Sequence, residues 1–390
     1  MVSIQCFNNY GTPNIEDPTN AFEYYRRAGI KKGIVEYKHM GSRAVVILTK
    51  SPSGGILRNG AKNACSDSEL VEDGHISGSS FGAVITRNGR RFFNDKTLEI
   101  AFLQRLHKIV IHAGLWDSLD CEWICFDGEM LPWNFLSEQQ IIDNKKLSEC
   151  ASSSLTNLRS CLMSSGATAS ETQLQFLNES IKDVAEFERT NRDYTWPVEG
   201  INNIRFCPFH IIGTSKEALV ALPDFSHLHQ MKIIEKLADE SRRIYKSDSL
   251  INPTFFRSIR FDSQEDCKNA RRWWHHVTTR RGAEGVVVKP DCYSPQNQHG
   301  QYIQPAIKVR GRKHLRLIYG PHYLDKNNKP AIPHPKHKAY VKRKREIAIK
   351  QHLLGIESAV LATRPNYDVR ITQNMINLLA HGSRLHTKVS

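Results

Sequence analysis

The chain has 390 residues, which is enough for two or three modules with a sizeable core. Lysine and arginine outnumber aspartate and glutamate by 54 to 40, and the net charge of +14 favours a polyanionic partner such as nucleic acid. The sequence shows neither a basic-then-apolar leader nor an apolar run of membrane-spanning length. Its nine cysteines are not spaced in the pairs that zinc sites or disulfide frameworks need. These features predict a globular cytoplasmic protein with free thiols and no membrane association, although charge alone also fits a merely basic housekeeping protein.

The segment GIVEYKHMGSRAVVILT, residues 33–49, predicts two strands joined by a tight turn. Alternation puts Glu36 and Lys38 on one face of the first strand, and Gly41 is expected to supply a positive φ in the turn. The second strand, residues 43–49, is apolar enough to be buried on both faces. A dehydrated lysine near other cations has a lowered pKa, which makes its amine a nucleophile. By itself, the spacing Lys-x-x-Gly favours a plain hairpin.

A second hairpin signal carries a cluster of arginines. Asn88-Gly89 separates residues 81–86 from residues 91–93 and is typical of a two-residue turn. The cluster consists of Arg87, Arg90 and Arg91. These side chains are predicted either to be solvated or, in a basic chain, to contact nucleic-acid phosphates.

Residues 121–130 predict a strand that ends in a carboxylate. Asp127 and Glu129 share one face of that strand with Trp123 and Cys125. A carboxylate at the end of an apolar strand is costly unless it is paired, hydrogen-bonded or bound to metal. Glu129 is therefore a candidate for metal or nucleotide binding, and an ordinary ion pair is the alternative.

Helical patterns dominate the region that follows. Residues 136–190 predict two helices separated by a mobile Ser/Thr-rich loop between residues 152 and 170, which together would form an insertion into a sheet domain. Two further helices are predicted at residues 228–243 and 263–279.

Two later strands carry the remaining charged candidates. EGVVVK places Glu284 at the entry and Lys289 at the exit of a buried valine run. AIKVRGR puts Lys308 and Arg310 on one face of the next strand. Because two adjacent cations repel each other unless an anion lies between them, this strand predicts a phosphate site.

Four of these segments resemble, in order, motifs I, III, IV and V of the covalent nucleotidyltransferases: EYKHMGSR, DGEMLPW, EGVVVK and AIKVRGR. KHMGSR in particular resembles the ligase domain of bacterial polynucleotide kinase-phosphatase, an RNA-repair enzyme. The resemblance covers nearly the whole chain and implies an α+β fold with an antiparallel-sheet core, a helical insert and a helical C-terminal module. The implied boundaries are 1–135 and 191–322 for the two parts of the core, 136–190 for the insert and 323–390 for the C-terminal module.

The resemblance also implies a chemistry, in which Lys38 attacks the α-phosphorus of ATP and forms a lysyl-AMP intermediate. AMP would then pass to an RNA 5′-phosphate, and a 3′-hydroxyl would displace it to seal the strand. Nucleotide binding is implied for Glu36, Arg43, Glu129, Glu284, Lys289 and Lys308. Arg310 and the hairpin arginines would contact phosphate or RNA, and Glu129 and Glu284 would hold Mg²⁺ or Mn²⁺.

The sequence departs from the full repair enzyme in one respect. It contains no G-x-x-x-x-G-K-[ST] loop and no metallophosphatase-like clusters, and we therefore expect these 390 residues to hold neither a kinase nor a phosphatase module. A stand-alone ligase or an excised domain would fit, with end-healing by a separate kinase-phosphatase and dependence on a methyltransferase acting on RNA 3′ ends.

Two other functions stay open from the sequence. The first is a capping-type guanylyltransferase that uses GTP, which the KHMGSR form and the arginine-rich motif V region argue against. The second is a non-enzymatic basic RNA-binding protein, which would have no use for the aligned lysines and glutamates.

Overall fold

Two β-sheets form the frame of the molecule in a computed structural model that describes residues 4–5, 16–52, 81–86, 89–164, 170–222, 224–319 and 335–362. The first sheet contains, in spatial order, β1 (Ile4–Gln5), β9 (Ile307–Arg310), β8 (Gly285–Pro290), β2 (Lys32–Lys38) and β7 (Phe256–Arg260). The second contains β4 (Gly82–Thr86), β3 (Ser42–Thr49), β5 (Trp123–Leu131) and β6 (Arg205–Thr214). Neighbouring strands are antiparallel except β1 and β9, which confirms the predicted α+β class.

Helices pack against both sheets. In chain order they are α1 (Pro18–Arg27), α2 (Lys96–His112), α3 (Leu115–Leu119), α4 (Asn134–Ser164), α5 (Glu171–Asp193), α6 (His227–Tyr245), α7 (Gln264–Arg280), α8 (Arg312–Tyr319) and α9 (Pro335–Ala362). The predicted helices at residues 228–243 and 263–279 are confirmed by α6 and α7. Asp17 and Ser263 begin α1 and α7 as side-chain caps, since each accepts a backbone N–H of the first turn.

Each sheet has an apolar core of its own. Val46 of β3 belongs to a buried cluster with Phe102 of α2, whereas Val35 of β2 belongs to a separate cluster with Trp274 of α7. Burial of these apolar faces is the main stabilising contribution and fixes the register, because a one-residue slip would turn each strand over. The opposite, polar faces of the strands are thereby directed towards each other.

The turn after Lys38 joins the two sheets, so the predicted hairpin is wrong. β2 pairs within the first sheet and β3 within the second. Gly41 also lacks the predicted positive φ. A β-carbon on Gly41 would lie 2.6 Å from the carbonyl oxygen of Met130 and 2.7 Å from Cδ2 of Leu131, so close approach of β5 requires glycine there. The second strand is buried on one face and half-buried on the other, rather than buried on both.

Helices α4 and α5 pack together in the region predicted as a helical insert. The prediction of a loop beginning near residue 152 is wrong, because α4 continues to Ser164. Three of its hydroxyl groups are satisfied inside the helix: Thr156, Ser160 and Ser164 donate to the carbonyls four residues earlier at 2.8, 3.0 and 2.7 Å. Residues 165–169 lie outside the described residues.

The arginine-bearing turn connects two paired segments as predicted, but the Thr86 N–H donates to the Arg90 carbonyl at 2.7 Å, so three positions lie between the paired residues and not the predicted two. Gly89 has a φ of +78°, and Ile85 forms an antiparallel bridge with Arg91. Arg87 and Asn88 lie outside the described residues. The last described element of the chain is α9. The boundaries between the core, the insert and the C-terminal module stay a prediction. Within the described chain, no helix combines the length and apolarity that spanning a membrane would need.

Candidate active site

The polar faces of the two sheets meet at a junction, called the cleft below, that contains most of the charged side chains predicted from the sequence. The sheets are in contact where Nζ of Lys289, on β8, lies 3.0 Å from Nε2 of His210, on β6. In the first sheet Lys38 is opposite Gly285, and in the second Arg43 is opposite Glu129. Strand pairing thus brings together charged residues that are far apart in the chain.

Lys38 forms an ion pair with Glu284. Its Nζ donates to Oε2 of Glu284 at 2.5 Å, and the Glu284 backbone N–H donates to the Lys38 carbonyl at 3.1 Å. Burial by itself favours the neutral amine, but the carboxylates of Glu284 and Glu129 outweigh burial and raise the pKa of Lys38. The predicted lowering of this pKa is therefore wrong for the protein alone, in which Lys38 is a paired cation.

The partner carboxylate is strongly held in its charged form. Burial would raise the pKa of Glu284, but the Lys38 ammonium lowers it to about 2. His314 lies 3.4 Å from the other carboxylate oxygen of Glu284. Since burial lowers the pKa of His314 to about 4, this histidine is neutral at pH 7 and contributes a polar contact, not a charge.

Glu129 faces the same cleft from the second sheet. Its Oε2 is buried and has no hydrogen-bond partner within the described chain. Burial raises the pKa of Glu129 to about 7, and repulsion by Glu284 acts in the same direction. A buried carboxylate oxygen without a hydrogen-bond partner is unfavourable, and it indicates a position at which a ligand can bind.

Lys308 and Arg310 lie side by side on β9 but differ in their partners. Arg310 binds Glu16, with Nη2 at 2.8 Å and Nε at 3.0 Å from Oε1. The anion predicted beside Arg310 is thus a protein carboxylate, and its guanidinium is directed to Glu16 instead of a phosphate. Lys308 is half-buried and has no hydrogen bond or ion pair with the described residues. Burial, followed by repulsion from Lys38 and Arg310, lowers the pKa of Lys308 to about 8.

Glu36 and Lys289 form a second, deeper ion pair. Burial dominates both groups: it raises the pKa of Glu36 and lowers that of Lys289. Lys289 is 2% exposed and lies between Glu36 and His210, so it does not face an open phosphate position as predicted. Oε2 of Glu36 is buried without a hydrogen-bond partner in the described chain.

Arg43 is held by Asp127, which is not among the predicted site residues. Its Nε and Nη2 donate to the two oxygens of Asp127 at 2.8 and 2.5 Å, and Asp127 has a pKa well below its usual range because Arg43 and His210 outweigh its burial. The strand alternation that selected Glu129 also contains Asp127, so a signal was available. No sequence pattern indicated Glu16, because its partner Arg310 lies 294 positions away in the chain.

Two of the hairpin arginines, Arg90 and Arg91, lie at one end of the second sheet. Thr86 is paired with Ala44, next to Arg43, so the turn that follows β4 extends from the end of the sheet at which Arg43 lies. Arg90 is exposed, and Arg91 is 69% exposed and 4.0 Å from Glu99. No contact joins these two side chains to the cleft among the described residues, and their role in binding phosphate stays a prediction.

Two facing, mostly antiparallel sheets, with a lysine at the connection between them and carboxylates and cations around it, fit the class of nucleotidyltransferase-type ligases that the sequence motifs resemble. The family model described as "PNKP adenylyltransferase domain, ligase domain" matches residues 9–384. The chain belongs to this family of RNA-repair ligase domains.

Solved structures show the same fold. "Structure of the Pnkp1/Rnl/Hen1 RNA repair complex" contains a chain that matches with a TM-score of 0.60 and 16% identity, covering 100% of this chain and 93% of that one. "Structure of Pnkp1/Rnl/Hen1 complex" gives a TM-score of 0.57 and 14% identity, with coverage of 100% and 93%. No curated protein matches this chain by sequence.

Proposed function

We propose that this protein is an ATP-dependent RNA ligase that carries AMP on Lys38. The proposal rests on Lys308, a half-buried cation of the cleft that forms no hydrogen bond or ion pair with the described residues and that is repelled by Lys38 and Arg310. Holding an unpaired charge there costs free energy that an anion would relieve. The α-phosphate of a nucleotide, next to the attacking amine, is the anion that this position suits.

The residues of the cleft account for how the amine would become reactive. Glu284 and Glu129 keep the proton on Lys38, so neutralising these carboxylates lowers the pKa of the amine. In the first step the Lys38 Nζ loses its proton and forms a bond to the α-phosphorus, while the bond from that phosphorus to pyrophosphate breaks. Lys308 would stabilise the charge that develops on the α-phosphate oxygens.

A divalent metal fits the two carboxylates of the cleft. The described residues contain no group of three or more side chains that would hold a metal ion by themselves. Mg²⁺ at nucleotide sites usually takes one or two carboxylates together with substrate phosphates, which suits Glu284 and the unpartnered Oε2 of Glu129. When bound, Mg²⁺ or Mn²⁺ would polarise the phosphates and offset the charge of these carboxylates.

Glu36 would favour binding of ATP over binding of GTP. Its buried Oε2 has no donor within the described chain and can accept a hydrogen bond from the adenine amino group. Guanine has a carbonyl oxygen at the corresponding position, and two acceptors facing each other in a buried site are unfavourable. If this contact forms, it would disfavour the GTP that a capping-type guanylyltransferase uses.

AMP transfer to RNA completes the proposed reaction. An oxygen of the RNA 5′-phosphate attacks the phosphorus of the lysyl-AMP, and Lys38 is the leaving group. A 3′-hydroxyl then attacks the activated 5′-phosphate, forms the phosphodiester and releases AMP. We infer that a separate kinase-phosphatase and an RNA 3′-end methyltransferase act with this protein, since the similar fold was solved in the Pnkp1/Rnl/Hen1 complex.

Radioactive labelling tests this function. The protein is incubated with ATP or GTP labelled in the α-phosphate, with magnesium, and analysed on a denaturing gel. We expect a covalent label from ATP and little from GTP. A stronger label from GTP would favour the guanylyltransferase, and no label from either would favour the non-enzymatic RNA-binding protein.

Glu129→Gln and Glu284→Gln are expected to separate a ligand role from a structural role. Both should slow adduct formation and raise the magnesium concentration that it needs. Glu129→Gln should not lower the melting temperature at pH 8, because the amide removes an unpartnered buried charge. Glu284→Gln should lower it, because Lys38 loses its anion. Thermal unfolding and magnesium titrations of labelling check this contrast, and a Glu129→Gln protein with normal labelling would contradict it.

A further inference from the structure

A second pocket opens beside the Lys38 turn, next to the cleft. Its volume is about 440 Å³, and its walls include the rings of Tyr37, Tyr194 and Trp196 and the exposed residues Arg280 and Arg281 at the end of α7. Tyr37 directly precedes Lys38 in β2, so its side chain is on the opposite face of that strand. The pocket and the cleft are thus separated by the end of a single strand.

The aromatic walls of this pocket are held in place by hydrogen bonds. Tyr37 Oη donates to the carbonyl of Arg281 at 2.9 Å, and Trp196 Nε1 donates to the carbonyl of Asn203 at 2.7 Å. The Tyr194 ring is 6.3 Å from that of His314, whose Nε2 is 3.4 Å from Glu284. These contacts preorganise the rings and connect the pocket to the partner of Lys38.

The rim of the pocket is cationic and continues into an exposed aromatic side chain. The Arg281 guanidinium lies 5.7 Å from the ring centroid of Phe255, which is 47% exposed and 6.4 Å from the ring of Tyr37. Arg280 has no ion pair with the part of the chain that the structure describes. Among the described residues that line the pocket, Asp193 contributes one negative charge and Arg280 and Arg281 contribute two positive charges, so the lining has a net positive charge.

We propose that this pocket and its rim, defined by Tyr37, Tyr194, Trp196, Phe255, Arg280 and Arg281, bind the terminal nucleotides of the single-stranded RNA that reacts at Lys38. Aromatic faces on which bases stack, next to cations for the backbone, are the combination that binds single strands without sequence preference. The inference rests on the proposed function, because it concerns the RNA that receives AMP. The position of Phe255 outside the pocket favours a strand that continues past it over a free mononucleotide.

The double variant Phe255→Ala/Arg281→Ala tests the assignment, because it removes one stacking face and one cation from the rim. Phe176→Ala/Lys236→Ala is the matched control: it removes a 57% exposed phenylalanine of α5 and an exposed lysine of α6. Three quantities are measured on the full chain: labelling by ATP, binding of a fluorescent 5′-phosphorylated 12-nucleotide RNA without ATP, and single-turnover AMP transfer to that RNA.

We expect the rim variant to bind the RNA at least about tenfold more weakly and to transfer AMP correspondingly more slowly at subsaturating RNA. Labelling by ATP should stay within about twofold of wild type, because this step needs no RNA, and the control variant should match wild type in all three assays. AMP added at high concentration should not displace the RNA.

Three results would overturn the inference. The first is RNA binding and transfer equal to wild type, as expected if the rim instead binds a protein partner. The second is a parallel loss of labelling in both the rim variant and the milder Phe255→Leu/Arg281→Gln, which would assign the rim to the nucleotide site. The third is displacement of RNA by AMP. If wild type does not label with ATP, the proposed function fails, and the RNA-binding comparison still decides whether this surface binds RNA.

Discussion

Lys38→Ala is expected to abolish the lysyl-AMP adduct and to leave a folded protein. The substitution removes the only amine that the proposed reaction uses, so labelling by ATP should fall to background. It also leaves the Glu284 carboxylate without its main partner, and loss of one member of a largely buried pair costs about 2–4 kcal/mol. We therefore expect a lower melting temperature together with a cooperative unfolding transition.

Lys38→Arg separates the chemical effect from the structural one. The guanidinium stays charged and keeps the ion pair with Glu284, but it is not a nucleophile at neutral pH. This variant should melt close to wild type and form no adduct. Denaturing-gel labelling and thermal unfolding of the three proteins are the measurements, and a covalent AMP label retained in either variant would refute the assignment of Lys38.

Lys308→Met is expected to be more stable than wild type at pH 7 and severely defective in forming the adduct. The pKa of Lys308 is lowered to about 8 in the folded protein, from 10.5. The folded state therefore binds fewer protons than the unfolded state between pH 8 and 10.5, and the stability of wild type rises with pH in that window. At pH 7 the charge on Lys308 lowers the free energy of unfolding of wild type by about 2 kcal/mol, a value reduced to allow for partial exposure of the side chain. Lys308→Met removes this charge and its cost.

The difference between the two proteins should consequently shrink as the pH rises from 7 to 10. Magnesium-ATP should raise the melting temperature of wild type and have little effect on Lys308→Met, since the anion that relieves the repulsion no longer finds its cation. Thermal unfolding at pH 7, 8.5 and 10, with and without magnesium-ATP, measures both effects. A variant that melts lower than wild type at pH 7, yet labels normally, would make Lys308 a structural residue.

Local patterns in the sequence determined the elements and the candidate residues. Strand alternation placed Glu36 and Lys38 on one face, and it placed Glu129 at the end of an apolar strand, because side-chain direction follows from the period of the backbone. Capping residues and apolar spacing likewise located α6 and α7. The order of the motifs gave the family, which the match to residues 9–384 confirmed.

Only the tertiary structure decided how the charges are paired. Strand alternation predicts Lys38 as a nucleophile near other cations, and Lys308 and Arg310 as neighbouring cations of a phosphate site. In the fold Arg310 pairs with Glu16, Lys38 pairs with Glu284, and Lys308 forms no ion pair with the described residues. The pKa of a side chain depends on its burial and on the charges near it in space. The direction in which the pKa of Lys38 shifts therefore could not be predicted from its neighbours in sequence.

The path of the chain at Lys38 was also decided in three dimensions. KHMGSR reads locally as a hairpin turn, but pairing of β2 with β8 and of β3 with β5 sends its two strands into different sheets. The glycine is needed because β5 approaches it closely, not because of its own φ. A turn signal reports local backbone preference, whereas strand partners are chosen by the burial of apolar faces across the whole domain, and this choice places Lys38 between the sheets.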